Sequence, residues 1–319
     1  MISLQASDSA SALWLGHAPA RIAAPATGLE RWDFPDRGAP HDAIQDAILN
    51  HPNFHVAQRA SYQAALDYCQ AHPDMQASIS DMGSLLLCIV ALYLDATGGI
   101  THRRLRMLMG KSGAVSAGRA TALLWQLRRK DFIQTGHRNG KPCFLPTPAM
   151  RDAMQERMRH ELRAAVHIEP KLQRYLAHFE GDALFRPIWS RLGDDLLEAA
   201  STVYPSLVNL HVVGDRAYGF AMTYAIAAAD WDAPGTAAPA GAALARTYGT
   251  SRSHVFRILK LMEGFGFLDV RNNERFVTPR LREALREFQC MTYAATLRAA
   301  HRALRDITAA NFSPVDAVN

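Results

Sequence analysis

Apolar residues recur along this chain at three- and four-residue spacing, the spacing that gathers them on one face of a helix. The clearest case follows Ser116, a residue type favoured at a helix start: Ala120, Leu123, Leu124 and Leu127 form one stripe and predict a helix to about Lys130. Upstream, the continuous apolar run from Leu85 to Leu94 predicts a buried helix over Ser84 to Ala96, stopped by Thr97-Gly98-Gly99. A shorter helix follows Thr101, carries Leu105, Leu108 and Met109 to about Lys111, and gives way to a turn at Ser112 to Val115. Beyond Lys130 the pattern changes to short strands. Phe132 and Ile133 open one and Cys143, Phe144 and Leu145 form the return, with His137 to Lys141 between them. Asn139-Gly140 at that tip predicts a type I′ hairpin turn. Thr147-Pro148 then predicts a new helix, with Thr as cap and Pro in the first turn.

The same order returns later in the chain. Thr147-Pro-Ala-Met-Arg-Asp-Ala-Met154 reappears as Thr278-Pro-Arg-Leu-Arg-Glu-Ala-Leu285, and Ser116 to Ile133 aligns without gaps to Ser251 to Leu268, an offset of 131 to 135 residues. The second copy predicts a helix over Ala217 to Ala229, an Ala/Pro/Gly linker from Asp232 to Gly241, and a short helix centred on Ala243 to Arg246. A turn at Tyr248-Gly249-Thr250 precedes a helix from Ser251 to about Gly264, with Val255, Ile258, Leu259 and Met262 inward. A hairpin follows over Phe267 to Val277, then a helix to about Phe288 and a separate one towards Ile307. Each copy is preceded by one more predicted helix, Ala57 to Ala71 and Trp189 to Val203, ended by His72-Pro73 and Tyr204-Pro205. The implied organisation is an N-terminal arm (1–44), a first repeat (45–165, module 80–165), a second repeat (166–302, module 215–290) and a tail (303–319). The fold class expected is mainly α with small β-wings: a tandem winged helix-turn-helix about a pseudo-two-fold axis.

Charge sharpens this picture. The net charge is only +5, but residues 101–165 carry 14 Lys/Arg against 4 Asp/Glu and residues 244–302 carry 11 against 5. The segments before them, 1–100 and 166–243, are acidic, with balances of −6 and −4. Positive charge is thus concentrated in the two aligned modules, as expected for two phosphate-binding footprints.

In such a module the start of the third helix meets base edges and the basic hairpin reaches the neighbouring backbone. In the second copy the candidates are Ser251, Arg252, Ser253, His254 and Arg257 on the helix, Arg246 before the turn, and Arg271 and Arg275 at the wing. Arg252 or Arg257 could read guanine bidentately. In the first copy only Ser116, Arg119 and Thr121 remain as polar readers, and Ala117, Gly118 and Ala122 replace Arg252, Ser253 and Arg257. Its phosphate candidates include Lys111, Arg138 and Lys141. The first copy is expected mostly to hold phosphates and the second mostly to read bases.

Leu244 to Leu259 followed by Gly266-Phe267-Leu268 resembles the winged helix-turn-helix of bacterial MarR-like transcription regulators, over roughly 70 residues in each half. The resemblance implies sequence-specific binding of double-stranded DNA and often a small-molecule effector, for which no pocket residue can be matched. Unlike that group, this chain carries two modules, so a monomeric pseudo-dimer or a homodimer is implied. A plasmid replication initiator, which also places two winged helices in one chain and binds repeated DNA sites, and a winged-helix protein-interaction scaffold stand as alternatives.

Other chemistries find little support. No nucleophile elbow, phosphate loop or paired-carboxylate motif is present, so no enzymatic activity and no cofactor are expected. Cys69, Cys88, Cys143 and Cys290 have no zinc or redox spacing, Cys88 reading as a core thiol and Cys143 as a surface one. His51 and His55 have metal-pair spacing, but Pro52 and Asn53 lie between them and no third ligand is apparent. Trp189, Tyr204, His211 and Tyr218 read either as core or as the lining of an effector cavity. No signal peptide or membrane span is expected, and the simple location is the cytoplasm, at the nucleoid.

Overall fold

A computed structural model of the chain describes residues 41–112, 115–176, 182–199 and 207–311. Almost all of the expected arm, Tyr204-Pro205, the end of the tail and the side chain of Lys111 lie outside the described residues. The chain is mainly helical with two small antiparallel hairpins.

The first half runs α1 (His41–Leu49), α2 (Phe54–Ala71), α3 (Pro73–Ser78), α4 (Met82–Ala96), α5 (His102–Ser112), α6 (Ala117–Arg129), β1 (Ile133–Arg138), β2 (Lys141–Pro146) and α7 (Pro148–Ala165). The second runs α8 (Gln173–Leu176), α9 (Asp182–Ala199), α10 (Val208–Gly214), α11 (Gly219–Asp232), α12 (Gly241–Thr247), α13 (Arg252–Gly264), β3 (Leu268–Arg271), β4 (Glu274–Val277) and α14 (Pro279–Asn311). Three helices, a hairpin and a further helix therefore follow one another in both halves.

Local chemistry explains the boundaries. Ser116 and Ser251 cap α6 and α13 by accepting from Arg119 N (3.3 Å) and His254 N (3.2 Å). Thr147 and Thr278 cap α7 and α14 the same way, and their own amides donate to Phe132 O and Phe267 O at the start of each hairpin. The tips need left-handed residues: Asn139 and Gly140 have φ of 53° and 71°, and Asn272 and Asn273 have 51° and 64°. Each hairpin also gains a backbone bond from the segment between α4 and α5 or between α11 and α12. Phe144 N donates to Ile100 O (2.8 Å), and Ala238 N donates to Arg275 O (2.6 Å).

The structure departs from the sequence expectations in several places. The two helices expected after Pro279 are one 33-residue helix, because the stretch from Ala294 to Ala309 contains no Gly or Pro. The helix expected from Trp189 starts at Asp182 and carries Pro187 inside it. The lost hydrogen bond there is offset by burial of Leu184, Phe185, Ile188 and Trp189. The short helices α3 and α10 carry too few apolar repeats to have been read from the pattern. Cys143 is buried rather than exposed, since it lies on the inner side of β2 against Gly99.

The halves exchange their leading helices. The helix α2 precedes the first module but packs on α11 of the second, and α9 precedes the second but packs on α4 of the first. Each also packs on the long helix closing its own half, α2 on α7 and α9 on α14. Tyr62 of α2 belongs to the second hydrophobic core and stacks on Tyr224 of α11 at 5.0 Å. The close approach of α9 to α4 needs Gly193, where a Cβ would lie 2.3 Å from Tyr93 Cδ2. Along α14, Leu281, Ala284 and Leu285 belong to the second core, whereas Tyr293, Leu297 and Ala300 belong to the first. No helix among the described residues is long and apolar enough to cross a membrane.

Where α2, α7 and α14 meet, a polar cluster is buried. Ser61 Oγ donates to Glu161 Oε2 (3.1 Å), Gln289 Nε2 donates to Ser61 Oγ (3.1 Å), and the Tyr293 hydroxyl donates to Ala57 O (2.6 Å). Burial pushes the Glu161 carboxyl above its ordinary value, against the opposing pull of Arg157, Ser61 and Gln289. The folded state therefore disfavours the carboxylate. The stability linked to this group is full at acid pH and is lost as pH rises through its raised folded value. Glu161→Gln is expected to raise the melting temperature at pH 8, where the fold disfavours the carboxylate. The gain should vanish near pH 4. Melting curves across that range check it, and an equal gain at both ends would refute the assignment.

Candidate nucleic-acid interface

The helix α13 divides cleanly. Val255, Ile258, Leu259 and Met262 are buried, while Arg252, Ser253, Phe256, Arg257 and Lys260 are exposed. This follows from the 3.6-residue repeat, which sends positions i, i+1, i+4, i+5 and i+8 to one side. That exposed side faces the tip of the second hairpin across an open cleft. Its lining includes Arg252, Ser253, Phe256, Arg257, Asn273 and Arg275, with Gly241 and Ala242 of α12 at its edge.

Arg252, Arg257 and Arg246 make no ion pair or hydrogen bond among the described residues, so their guanidinium groups are free for an anion or a base edge. Arg275 is held: its Nε donates to Glu263 Oε1 (2.8 Å), and Lys260 Nζ donates to Glu263 Oε2 (2.6 Å). Burial pushes the Glu263 carboxyl up, but the two cations outweigh it and its pKa falls below the ordinary value. Glu263 thus fixes the hairpin to α13 through Arg275. Lys260 and Arg275 also lie 5.6 and 6.0 Å from the Phe256 ring, which is 52% exposed. Arg271 pairs with Asp269 two positions away on the same solvent-exposed strand, β3 (2.8 Å), a contact of little energetic weight.

His254, expected among the base readers, turns inward. Its Nε2 lies 2.8 Å from Ala217 O, ahead of α11. The aligned Arg119 behaves alike, its Nη2 donating to Asp81 Oδ1 (2.8 Å) at the cap of α4. Both side chains tie the start of their helix to the first helix of the module. Thr121 likewise bonds back to Ala117 O (3.1 Å), and Ser116 serves as cap. Each of the expected first-copy readers, then, makes at least one hydrogen bond within the fold.

Arg138 also has partners within the fold. Instead of projecting from the hairpin, its guanidinium donates through Nη2 to Asp95 Oδ1 (2.8 Å) and through Nη1 to the Asp95 carbonyl. Asp95 is buried at the end of α4 and also meets Arg151 Nη2 at 3.6 Å. In the second copy Arg282 Nε donates to buried Asp230 Oδ2 (2.8 Å) at the end of α11. Arg151 and Arg282 are the arginines of the repeated Thr-Pro-x-x-Arg segment. That repeat therefore records an Arg–Asp lock between the first and last helices of each module. Lys141 stays exposed at the start of β2.

Three contributors escaped the sequence reading: Phe256, Lys260 and Glu263. The first two share the face of Arg252 at helical spacing and could have been found by extending it. Glu263 could not, because its role depends on the hairpin folding back.

The aromatic residues offered as an effector lining do not share a wall. Trp189 is buried in the first core beside Phe185, whereas Tyr218 packs against the second core and Tyr248. His211 sits edge-on to Phe288. Among the described residues no group of three or more His, Cys, Asp or Glu could hold a metal ion. Comparisons with protein-family models, with curated proteins and with solved structures gave no match to this chain.

Proposed function

We propose that the chain is a sequence-specific double-stranded DNA-binding transcription regulator, built from two winged helix-turn-helix modules related by a pseudo-two-fold axis. One chain then does the work of a dimer, acting at the nucleoid rather than as an enzyme. The observation that carries the reading is the cleft between α13 and the second hairpin. Arg252 and Arg257, unpaired among the described residues, stand there on a helix whose opposite face is committed to the core. A helix so placed can enter the major groove with base-reading donors foremost, while the hairpin reaches the adjacent backbone. The exchange of α2 and α9 between modules supports the two-fold relation, since each makes the same pair of contacts in opposite halves.

Capture of bound genomic DNA, followed by binding measurements on the enriched duplex, tests this. Each phosphate neutralised adds about 0.9 to the slope of log K against log salt. With about six phosphates held, affinity should fall roughly 10³-fold between about 50 and 200 mM salt. Failure to enrich any duplex, or affinity indifferent to salt, would leave the protein-interaction scaffold as the better reading.

A further inference from the structure

The gap-free alignment of α6 with α13 places Ala117, Gly118, Thr121, Ala122 and Trp125 where α13 exposes Arg252, Ser253, Phe256, Arg257 and Lys260. Packing does not dictate the difference. A Cβ on Gly118 would meet nothing within 4 Å, and Ala122 is exposed. The cation near the start of α6, Arg119, is engaged with Asp81, as the aligned His254 is with Ala217 O. The next one along, Arg128, lies 4.9 Å over the half-exposed Trp125 ring, about two and a half turns further on. The first two turns of α6 therefore offer carbon surface and no free guanidinium, whereas those of α13 offer two.

Resting on the DNA-binding reading above, we infer that the bound element is asymmetric: guanine is read in the half under α13 and not in the half under α6, so the chain lies on DNA with a fixed polarity. A symmetric dimer of identical modules reads a palindrome, because the same donors meet both halves. Duplication within one chain removed that constraint, and the two helix faces have diverged in the residues that decide it. Bidentate arginine contacts use guanine O6 and N7, which makes the asymmetry directly observable.

The test uses the full chain and duplexes selected from a random pool. Methylation of guanine N7 should block binding in one half of the selected element only. Replacing a guanine in that half should weaken binding roughly 5- to 150-fold. Ala117→Arg with Ala122→Arg restores the α13 pattern and should add guanine preference to the second half. If that pair fails to fold by circular dichroism, Ala122→Arg alone, at an exposed position, carries the same expectation. A wild-type element with N7 interference in both halves overturns the inference while leaving duplex recognition intact. So does a folded Ala122→Arg variant whose preference is unchanged. Selection of no duplex at all removes the DNA-binding reading and this inference with it.

Discussion

Replacing Arg252 and Arg257 together by alanine is expected to abolish base discrimination while leaving the fold unchanged. Both side chains are exposed and unpaired among the described residues, so their removal breaks no hydrogen bond or ion pair there. The helix stays anchored by Val255, Ile258, Leu259 and Met262, and its Ser251 cap is untouched. Each bidentate arginine–guanine contact contributes about 1–3 kcal/mol of discrimination. The double variant should lose roughly 2–6 kcal/mol of preference for the selected duplex over a scrambled one, and retain most of its non-specific affinity. Paired titrations of the two duplexes at fixed salt measure this. An equal loss on both would mean that these arginines hold phosphate only.

The largest effect on stability is expected at Asp95. This carboxylate is buried and receives Arg138 and Arg151, while its carbonyl receives Arg138 and Arg186 (3.1 Å). Asp95→Ala leaves half-buried guanidinium groups without their counter-charge, which typically costs about 3–5 kcal/mol. Urea or thermal unfolding checks it, and a variant melting within about a degree of wild type would sink the claim. The same geometry reverses an expectation for the first hairpin. Arg138→Ala should act on stability, through Asp95. Lys141→Ala, exposed beside the hairpin's tip, should leave stability alone and lower the salt slope by about one.

Much of this architecture was legible along the chain. The stripes of α6 and α13, their serine caps, the Thr-Pro starts of α7 and α14 and the Asn-Gly and Asn-Asn tips all lie where residue type and spacing place them. These features are local: a cap, a turn or an amphipathic face depends on residues within about one or two turns. For the same reason the exposed Arg252 and Arg257 could be identified from spacing alone.

Partnership between distant residues was not legible. The sequence marks Arg119, His254, Arg138, Arg252 and Arg257 all as candidates for contact with DNA, because charge carries no record of what it will meet within the fold. Folding brings Arg119 to Asp81, His254 to Ala217 O and Arg138 to Asp95, and leaves Arg252 and Arg257 unpaired among the described residues. The crossing of α2 and α9 into opposite halves was equally hidden, since an apolar helix face fits either core and only the assembled geometry selects one. By itself, then, the sequence determined two like modules, their helix faces and their turns, because those rest on short-range periodicity and backbone preference. Tertiary structure alone decided which cations are structural and which stand free among the described residues, because that depends on contacts between residues 37 to 43 positions apart in the chain.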